Sequence, residues 1–519
     1  MPDVKDSKFE FDFVQRTPGS VRRQPHAMRI LILGDFSGRA AQKVPEGGPR
    51  VRERSAVRVD VDNFEDVLWR FSPRIRVPAL KGAGTDELEI RSLEDFHPDS
   101  IYLRLPGFKR LRETRRRLED PGTFAAAASE LQDLLSGVSL EEKPGTKGHA
   151  ERATQLEESD AEAIERLLGR PTSSAPGTPS DRYDKGPAVV SKLIRRIVAP
   201  HMLTEQSGHR EVYLQTVDAV VGERMRTILH APEFQSVESS WRSVYGLVAG
   251  LETDESLQIH LLDLSKQELA VDLAAAREDL SASGLYRDLI ETGPGMPDGE
   301  PWSLLVGDFR FDPSSEDIDL LAALGAVASH AGGPFLAAAS SQLLGCRSIA
   351  ETPDPSDWEP LPQDTATVWK ALRRSPVARW LGLALPRVLL RLPYGKETEP
   401  VDGFDFEELV PERRHEAYLW GNPAFVCASL IGRAYSVRGW SMAPGDELEM
   451  DDLPAHVYQE EGEKRLQACA EAYLSERAAI AILDRGLMPL LSLKRRNSLR
   501  LARFQSIADP SAPLAGPSG

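Results

Sequence analysis

Two short words limit the fold of this chain more than anything else in it: ILILGDF at residues 30–36 and LLVGDF at 304–309. Each is an unbroken apolar run that ends in Gly-Asp-Phe. A strand with one wet face alternates apolar and polar side chains. A strand that is apolar at every position is covered on both faces, as in a sheet flanked by helices. Other strand-like runs, LQIHLLDLS and PFLAAAS, alternate with the helical runs KQELAVDLAAAR and SEDIDLLAALGAVASHA. That alternation predicts an α/β chain with largely parallel or mixed sheets flanked by helices.

Ahead of the first word stands KFEFDFV, in which Phe9, Phe11 and Phe13 alternate with Glu10 and Asp12. Period two makes this an amphipathic strand, yet Thr17-Pro18-Gly19 and a basic loop separate it from any neighbour. Further on, AVRVDVDNFEDVLWRF alternates Val57, Val59 and Val61 before a helix start. Asp62 with Glu65 resembles a capping box, worth about 1 kcal/mol. Phe64, Val67, Leu68 and Phe71 then share a face until Pro73. ELEIRSL supplies a strand and 108–118 a basic helix. Residues 1–27 are thus expected to be a strand and linker, and 28–136 a small α/β domain.

From 137 to 187 the text turns to EEKPGTKGHAERATQ and RPTSSAPGTPSDRYDKGP. It cannot bury enough apolar surface to order itself, and is read as a flexible tether with a short helix at 160–168. Residues 188–507 are expected to form a second domain that opens with two helices. Val217, Val220, Val221, Met225 and Ile228 line the first; Phe234, Val237, Trp241, Val244 and Val248 line the second. GLMPLLSLKRRNSLRLARFQS reads as a C-terminal hairpin turning at 496–498, and 508–519 as a disordered tail.

The chain has 519 residues, with 80 acidic against 63 basic side chains and a net charge of -17. Phosphate recognition needs concentrated Lys and Arg, so this balance opposes nucleic acid and anionic membranes. No run approaches the length of a membrane span and no signal peptide is visible. Cys346, Cys427 and Cys469 show no metal or redox spacing and suit a reducing compartment. The expectation is a cytoplasmic protein with no membrane insertion. G-x-S-x-G, H-E-x-x-H and C-x-x-C are missing from the sequence, and RLPYGKET lacks the upstream glycine of a P-loop. No catalytic residue, cofactor or metal is assigned, and His201 with His209 is read as polar surface. Asp35 and Asp308 end apolar strands, where α/β enzymes place carboxylates. The favoured reading makes them turn or cap residues. An α/β enzyme using them stays as the alternative, and it requires a polar pocket around them. The basic LKRRNSLRLAR is read as a charged hairpin rim.

Several longer words carry a resemblance. ILHAPEFQSVESSWRSVYGLV, GLALPRVLLRLPYG, FDFEE, AYLWGNPAFVCASL and MDDLPAHVY run in order between about 210 and 506. They resemble TssC (VipB), the large subunit of the type VI secretion contractile sheath. LILGDFSGR, VRVDVDNFEDVL and LEDFHPDSI resemble TssB (VipA), the small sheath subunit. The motif positions are Gly34, Asp35, Phe36, Asp62, Asn63 and Phe64 in the first part. In the second they are Phe234, Gln235, Glu238, Trp241, Arg391, Pro393, Tyr394, Trp420, Gly421 and Asn422.

The resemblance implies a non-enzymatic structural protein whose partners are other TssB-like and TssC-like sheath subunits. The inner Hcp tube, baseplate components and the AAA+ disassembly ATPase are further partners it brings in. It also implies a role for Phe9, Phe11 and Phe13. In such subunits an N-terminal strand is donated to a neighbouring protomer's sheet. Burying three phenylalanines contributes about 1.5–3 kcal/mol each, against roughly 1–2 kcal/mol per ordered backbone residue. Donation therefore needs a preformed edge and its hydrogen bonds; pairing within its own domain is the alternative. Two departures stand out. Subunits that are normally separate share one chain, and the family's large subunit continues beyond the C-terminal hairpin. AVVSKLIRRIVAPH is no convincing equivalent of the helix associated with the ATPase. These departures point to an accessory, capping or divergent sheath element, with a main sheath subunit of a divergent contractile system as the alternative.

Overall fold

In the computed structural model the described residues are 27–41, 51, 54–78, 85–137, 206–291, 301–410, 413–460, 462–494 and 496–517. Phe9, Phe11, Phe13, His201, the side chain of His209 and the 138–187 tether lie outside them. The described residues fall into two compact units, one drawn from Met1–Gly107 with Met225–Gly519 and the other from Phe108–Arg224.

In chain order the strands of the larger unit are β1 (Met28–Gly34), β2 (Val57–Val59), β3 (Arg74–Pro78), β4 (Thr85–Glu89), β5 (Leu257–Asp263), β6 (Leu304–Phe311), β7 (Phe335–Ala339), β8 (Leu381–Leu385), β9 (Val388–Leu389), β10 (Trp420–Gly421), β11 (Glu449–Met450), β12 (His456–Glu460), β13 (Glu463–Gln467), β14 (Met488–Ser492) and β15 (Leu499–Leu501). Nine of them form one sheet in the order β11-β15-β14-β8-β7-β6-β1-β5-β2. The centre, from β5 to β14, is parallel. β2, β15 and β11 add antiparallel margins. The expected α/β class with a largely parallel, mixed sheet is what forms, and β14 with β15 makes the C-terminal hairpin.

The expected division between 28–136 and 188–507 does not divide this sheet. β1 lies between β5 and β6, in parallel register from Met28↔Leu257 to Gly34↔Asp263 on one side and from Ile30↔Leu304 on the other. Its composition requires this. Ile30, Leu31, Ile32 and Leu33 are all 0% exposed, so the strand needs a partner at each edge and cover on both faces. Short strands 57–59, 74–78 and 85–89 cannot provide that.

The helices used below are α1 (Phe64–Phe71), α2 (Pro98–Arg104), α3 (Lys109–Glu119), α4 (Phe124–Gly137), α5 (Gln206–Leu229), α6 (Pro232–Ala249), α7 (Lys266–Ala275), α8 (Ser315–Ala331), α9 (Gln363–Arg374), α10 (Pro423–Arg438) and α11 (Glu476–Asp484). Leu31 and Leu33 of β1, with Leu262, Leu305 and Phe335, join one apolar cluster with α7, α8, α9 and α11. α10 packs on β6, β7 and β8 and contributes nothing to that cluster, so it covers the other face with α6. The alternation of strand side chains sends Ile30 and Ile32 there.

Two local expectations change. α1 begins at Phe64 behind Asn63, whose side chain makes no cap bond. Instead Asp60 and Asn63 each accept the other's backbone N–H, at 2.9 and 3.0 Å, and Asp62 is exposed. The reciprocal bonds close the turn two residues earlier than the Asp62–Glu65 box would. The tail also has a defined course to 517. Ser506 and Ala515 donate backbone bonds to Ala512 and Arg379, and Leu514 is buried where β8 has only Gly382. One buried leucine and a backbone ladder outweigh the Pro-Gly-Ser composition.

The smaller unit consists of α3, α4 and the first part of α5. Arg115 Nε lies 2.7 Å from Asp218 Oδ1, Arg117 pairs with Glu130 at 2.6 Å, and Phe124 meets Tyr213 edge-on at 5.8 Å. Val217 and Val221, expected on one face, are buried.

Candidate functional site

The two Gly-Asp-Phe words are neighbours. Leu33 of β1 pairs with Gly307 of β6, and a Cβ added to Gly34 would stand 3.1 Å from that of Asp308. A Cβ on Gly307 would come within 2.4 Å of the Phe335 ring. Glycine lets β1 end, and β6 run on to Phe311, against bulky neighbours. Asp35 accepts from the backbone N–H groups of Arg39 and Ala40 at 2.8 and 2.7 Å, closing the 3-10 turn Arg39–Ala41. Burial pushes its pKa up, these bonds act against that, and Asp263 adds to it.

Asp308 is a brace between layers. It accepts from Ser240 Oγ of α6 at 2.5 Å and from Asn422 Nδ2 at 3.3 Å. Asn422 also donates to the Gly307 and Phe309 carbonyls and accepts from Ala424 N at 2.9 Å. That last bond caps α10. Burial raises the Asp308 pKa, with Ser240 and Asn422 opposing and Asp35 adding.

Trp241 of α6 carries the join between early and late sequence. Its indole donates to the Phe36 carbonyl at 2.9 Å. Its ring centre lies 5.6, 5.8 and 5.9 Å from those of Phe36, Phe64 and Phe71. Phe234, about two turns earlier, meets Phe96 edge-on at 5.6 Å.

Arg391 is a buried cation held by two carboxylates. It reaches Glu238 at 2.8 Å and Glu408 at 2.8 and 3.1 Å, and lies 4.2 Å over the Tyr394 ring. Glu408 also accepts from the Tyr394 N–H at 2.8 Å, and Arg242 bridges Glu238 to the Tyr394 hydroxyl. Burial alone would raise the Glu408 pKa; Arg391 first and then His230 overcome it and hold it at about 2. Burial lowers an arginine's pKa, but the two glutamates keep that of Arg391 well above its usual value. Buried Pro393 sits between Arg391 and Tyr394.

Trp420 donates to the His415 carbonyl at 2.8 Å. A Cβ on Gly421 would strike the Leu390 side chain at 2.5 Å. Gln235 donates to the Glu416 carbonyl at 3.2 Å. Gln235, Asp308, Trp420, Gly421 and Asn422 line one cleft of about 350 Å³ beside α6. The structure thus gathers three of the expected sets: Gly-Asp-Phe with Trp241, Glu238 with Arg391 and Tyr394, and Gln235 with Trp420 to Asn422. Asp62 joins none of them.

Sequence reading missed two ion-pair groups. Arg387 holds Glu471 at 2.7 Å and Glu416 at 2.8 Å, and burial, which would raise Glu471, is overcome so that it sits at about 2. Arg39 and Arg54 hold Asp263 and Glu268 at 2.5 Å each. Arg387 stands inside the quoted LALPRVLL, but its partners are 29 and 84 residues away, and no local pattern marks them. Among the described residues no group of three His, Cys, Asp or Glu is placed to hold a metal ion. No described helix is long and apolar enough to cross a membrane. Asp308 does line the cleft, but Ser240 and Asn422 engage its two oxygens, and the site offers bracing rather than proton transfer.

Residues 211–508 match the family model VipB, described as EvpB/VC_A0108, tail sheath N-terminal domain. The chain belongs to the VipB tail-sheath family. Residues 4–145 match a second model, described as type VI secretion system, VipA, VC_A0107 or Hcp2. The chain is similar to the type VI secretion system sheath protein TssC1 of Pseudomonas aeruginosa, 34% identical over 309 residues, which are 58% of this chain and 62% of that protein. It is similar to TssB1 of the same organism, 28% identical over 109 residues, 20% of this chain and 61% of that protein. The chain thus spans about three fifths of each relative. TssB-like and TssC-like sequences occur here in one chain, as their motifs indicated, and the relatives are sheath proteins rather than enzymes.

Proposed function

We propose that this VipB-family chain is a structural subunit of a type VI contractile sheath, acting as a covalently joined TssB-like and TssC-like pair in the cytoplasm. The observation that supports this most is the position of β1, a strand of the VipA-matching part, between two strands of the VipB-matching part. A shared sheet joins strands of both matched parts in one building block, and one chain fixes their ratio at one to one. In this reading the buried pairs around Arg391 and Arg387 hold the block's shape under load, and no chemical step is needed.

The proposal has a narrower form, in which the chain is an accessory or terminating element that docks by donating the strand of Phe9, Phe11 and Phe13. The Hcp tube, the baseplate and the disassembly ATPase are the further partners this role offers. Deleting residues 1–16 and capturing the protein with a full-length TssC-like partner tests it. Loss of the partner with an unchanged circular dichroism spectrum is expected; undiminished capture contradicts strand donation. Long tubes formed by the purified chain alone under the electron microscope would contradict the accessory role.

A further inference from the structure

Two exposed cations stand outside any ion pair among the described residues at the C-terminal ends of the central strands, with Asp312 near enough to Arg310 to feel its charge. Arg310, in β6, and Arg347 line a cavity of about 60 Å³ together with Arg387, Glu416 and Glu471. Arg387 engages both of those carboxylates, which leaves the cavity with an excess of positive charge. Arg310 and Arg347 are exposed. Among the described residues neither guanidinium joins an ion pair or donates a hydrogen bond, and Arg310 also borders the cleft beside Asp308.

The outer margin of the sheet has the opposite character. β11 is its last strand on one side, within the run GDELEMDDL. Glu449 lies 4.0 Å from Arg500. Glu447, Asp451 and Asp452 join no ion pair among the described residues, and Asp451 and Asp452 are exposed. The one charge on β11 itself, Glu449, faces Arg500 of β15, and the carboxylates outside ion pairs flank the strand. The chain as a whole carries a net charge of -17, so two copies repel wherever ordinary surfaces meet. They attract where the local sign reverses, and the Arg310–Arg347 cavity is one such place, as is the basic hairpin of Lys494, Arg496 and Arg500.

We propose that this cavity receives the acidic margin at 447–452 of a second copy of this chain. The contact rests on the broader reading of the chain as a sheath subunit, not on its accessory form, and adds which surfaces meet. Because the two surfaces differ, the contact is head-to-tail and can repeat instead of closing as a symmetric dimer. It is predominantly ionic and governed by screening: at ~1 M salt the Debye length shrinks to about 3 Å.

The test compares self-association, by sedimentation equilibrium, of the wild type, R310E/R347E, D451K/D452K and a mixture of the two variants. Wild-type association that is lost at high salt is expected. Each charge-reversed chain alone should associate roughly tenfold or more weakly, and the mixture should recover, since each variant then meets its complement. Recovery also shows that both variants are folded. Three results overturn the contact: a wild type that stays monomeric at low salt, reversals without effect, or a mixture that fails to recover. Each leaves the sheath reading to its own capture experiment, in which neither charged patch is altered.

Discussion

At the scale of single residues, Arg391 shows how this chain uses charge inside its core. Taking an ion pair out of water costs several kcal/mol per ion, and good geometry repays it only when every partner is present. Glu238 and Glu408 are 0% and 1% exposed. Arg391→Met would leave Glu408 without its arginine and Glu238 with Arg242 alone. A loss of about 3–5 kcal/mol is expected in denaturant unfolding, and a loss within about 1 kcal/mol of zero would show that the network contributes little. The same networks set a pH window. Glu408, Glu471 and Glu268 are held near 2 against a usual 4.5. Folded values below unfolded ones mean stability that is full above pH 4.5 and is lost as pH falls towards 2. His260, pushed down to about 4 by burial with Arg29 and Arg58 adding, works over a higher range. The unfolded imidazole takes up a proton below 6.5 and the folded one resists, so stability declines from pH 6.5 to 4. His260→Gln should flatten that upper decline and leave the one below 4.5; denaturation midpoints measured against pH check both.

At the scale of elements, what was legible followed from local pattern. β1 and β6 announced themselves as strands covered on both faces, because ILIL and LLV contain no polar position. α6 and α8 were visible from their helical spacing. The α10 helix was not, since PAFVCASLIGRAYSVR is apolar around most of its circumference and shows no clear stripe. β8 was likewise hidden within a motif word, LALPRVLL. Pairing order lay beyond sequence reading for a different reason. β1 could have paired within residues 28–136, and nothing local says that its neighbours begin at Leu257 and Leu304. The candidate site divides in the same way. Glycines beside bulky rings and an aromatic Trp241 were legible as motif positions, whereas the carboxylate partners of Arg391 and Arg387 come from far along the chain.

At the scale of the whole molecule, the residues matched by VipA and by VipB contribute strands to one sheet, with β1 inside it. An interior strand cannot leave without exposing two ladders of backbone hydrogen bonds and both apolar faces, which is far costlier than undocking a domain. The covalent link between residues 137 and 206 should therefore be dispensable for cohesion once folding is complete. The decisive experiment inserts a specific protease site in that interval, cleaves the folded protein, and follows the fragments by native size-exclusion with amide hydrogen exchange. Fragments that co-elute, with β1 amides as protected as those of β5 and β6, are the predicted result. Fragments that separate under native conditions, or a β1 that exchanges freely while β5 and β6 stay protected, would contradict the shared sheet.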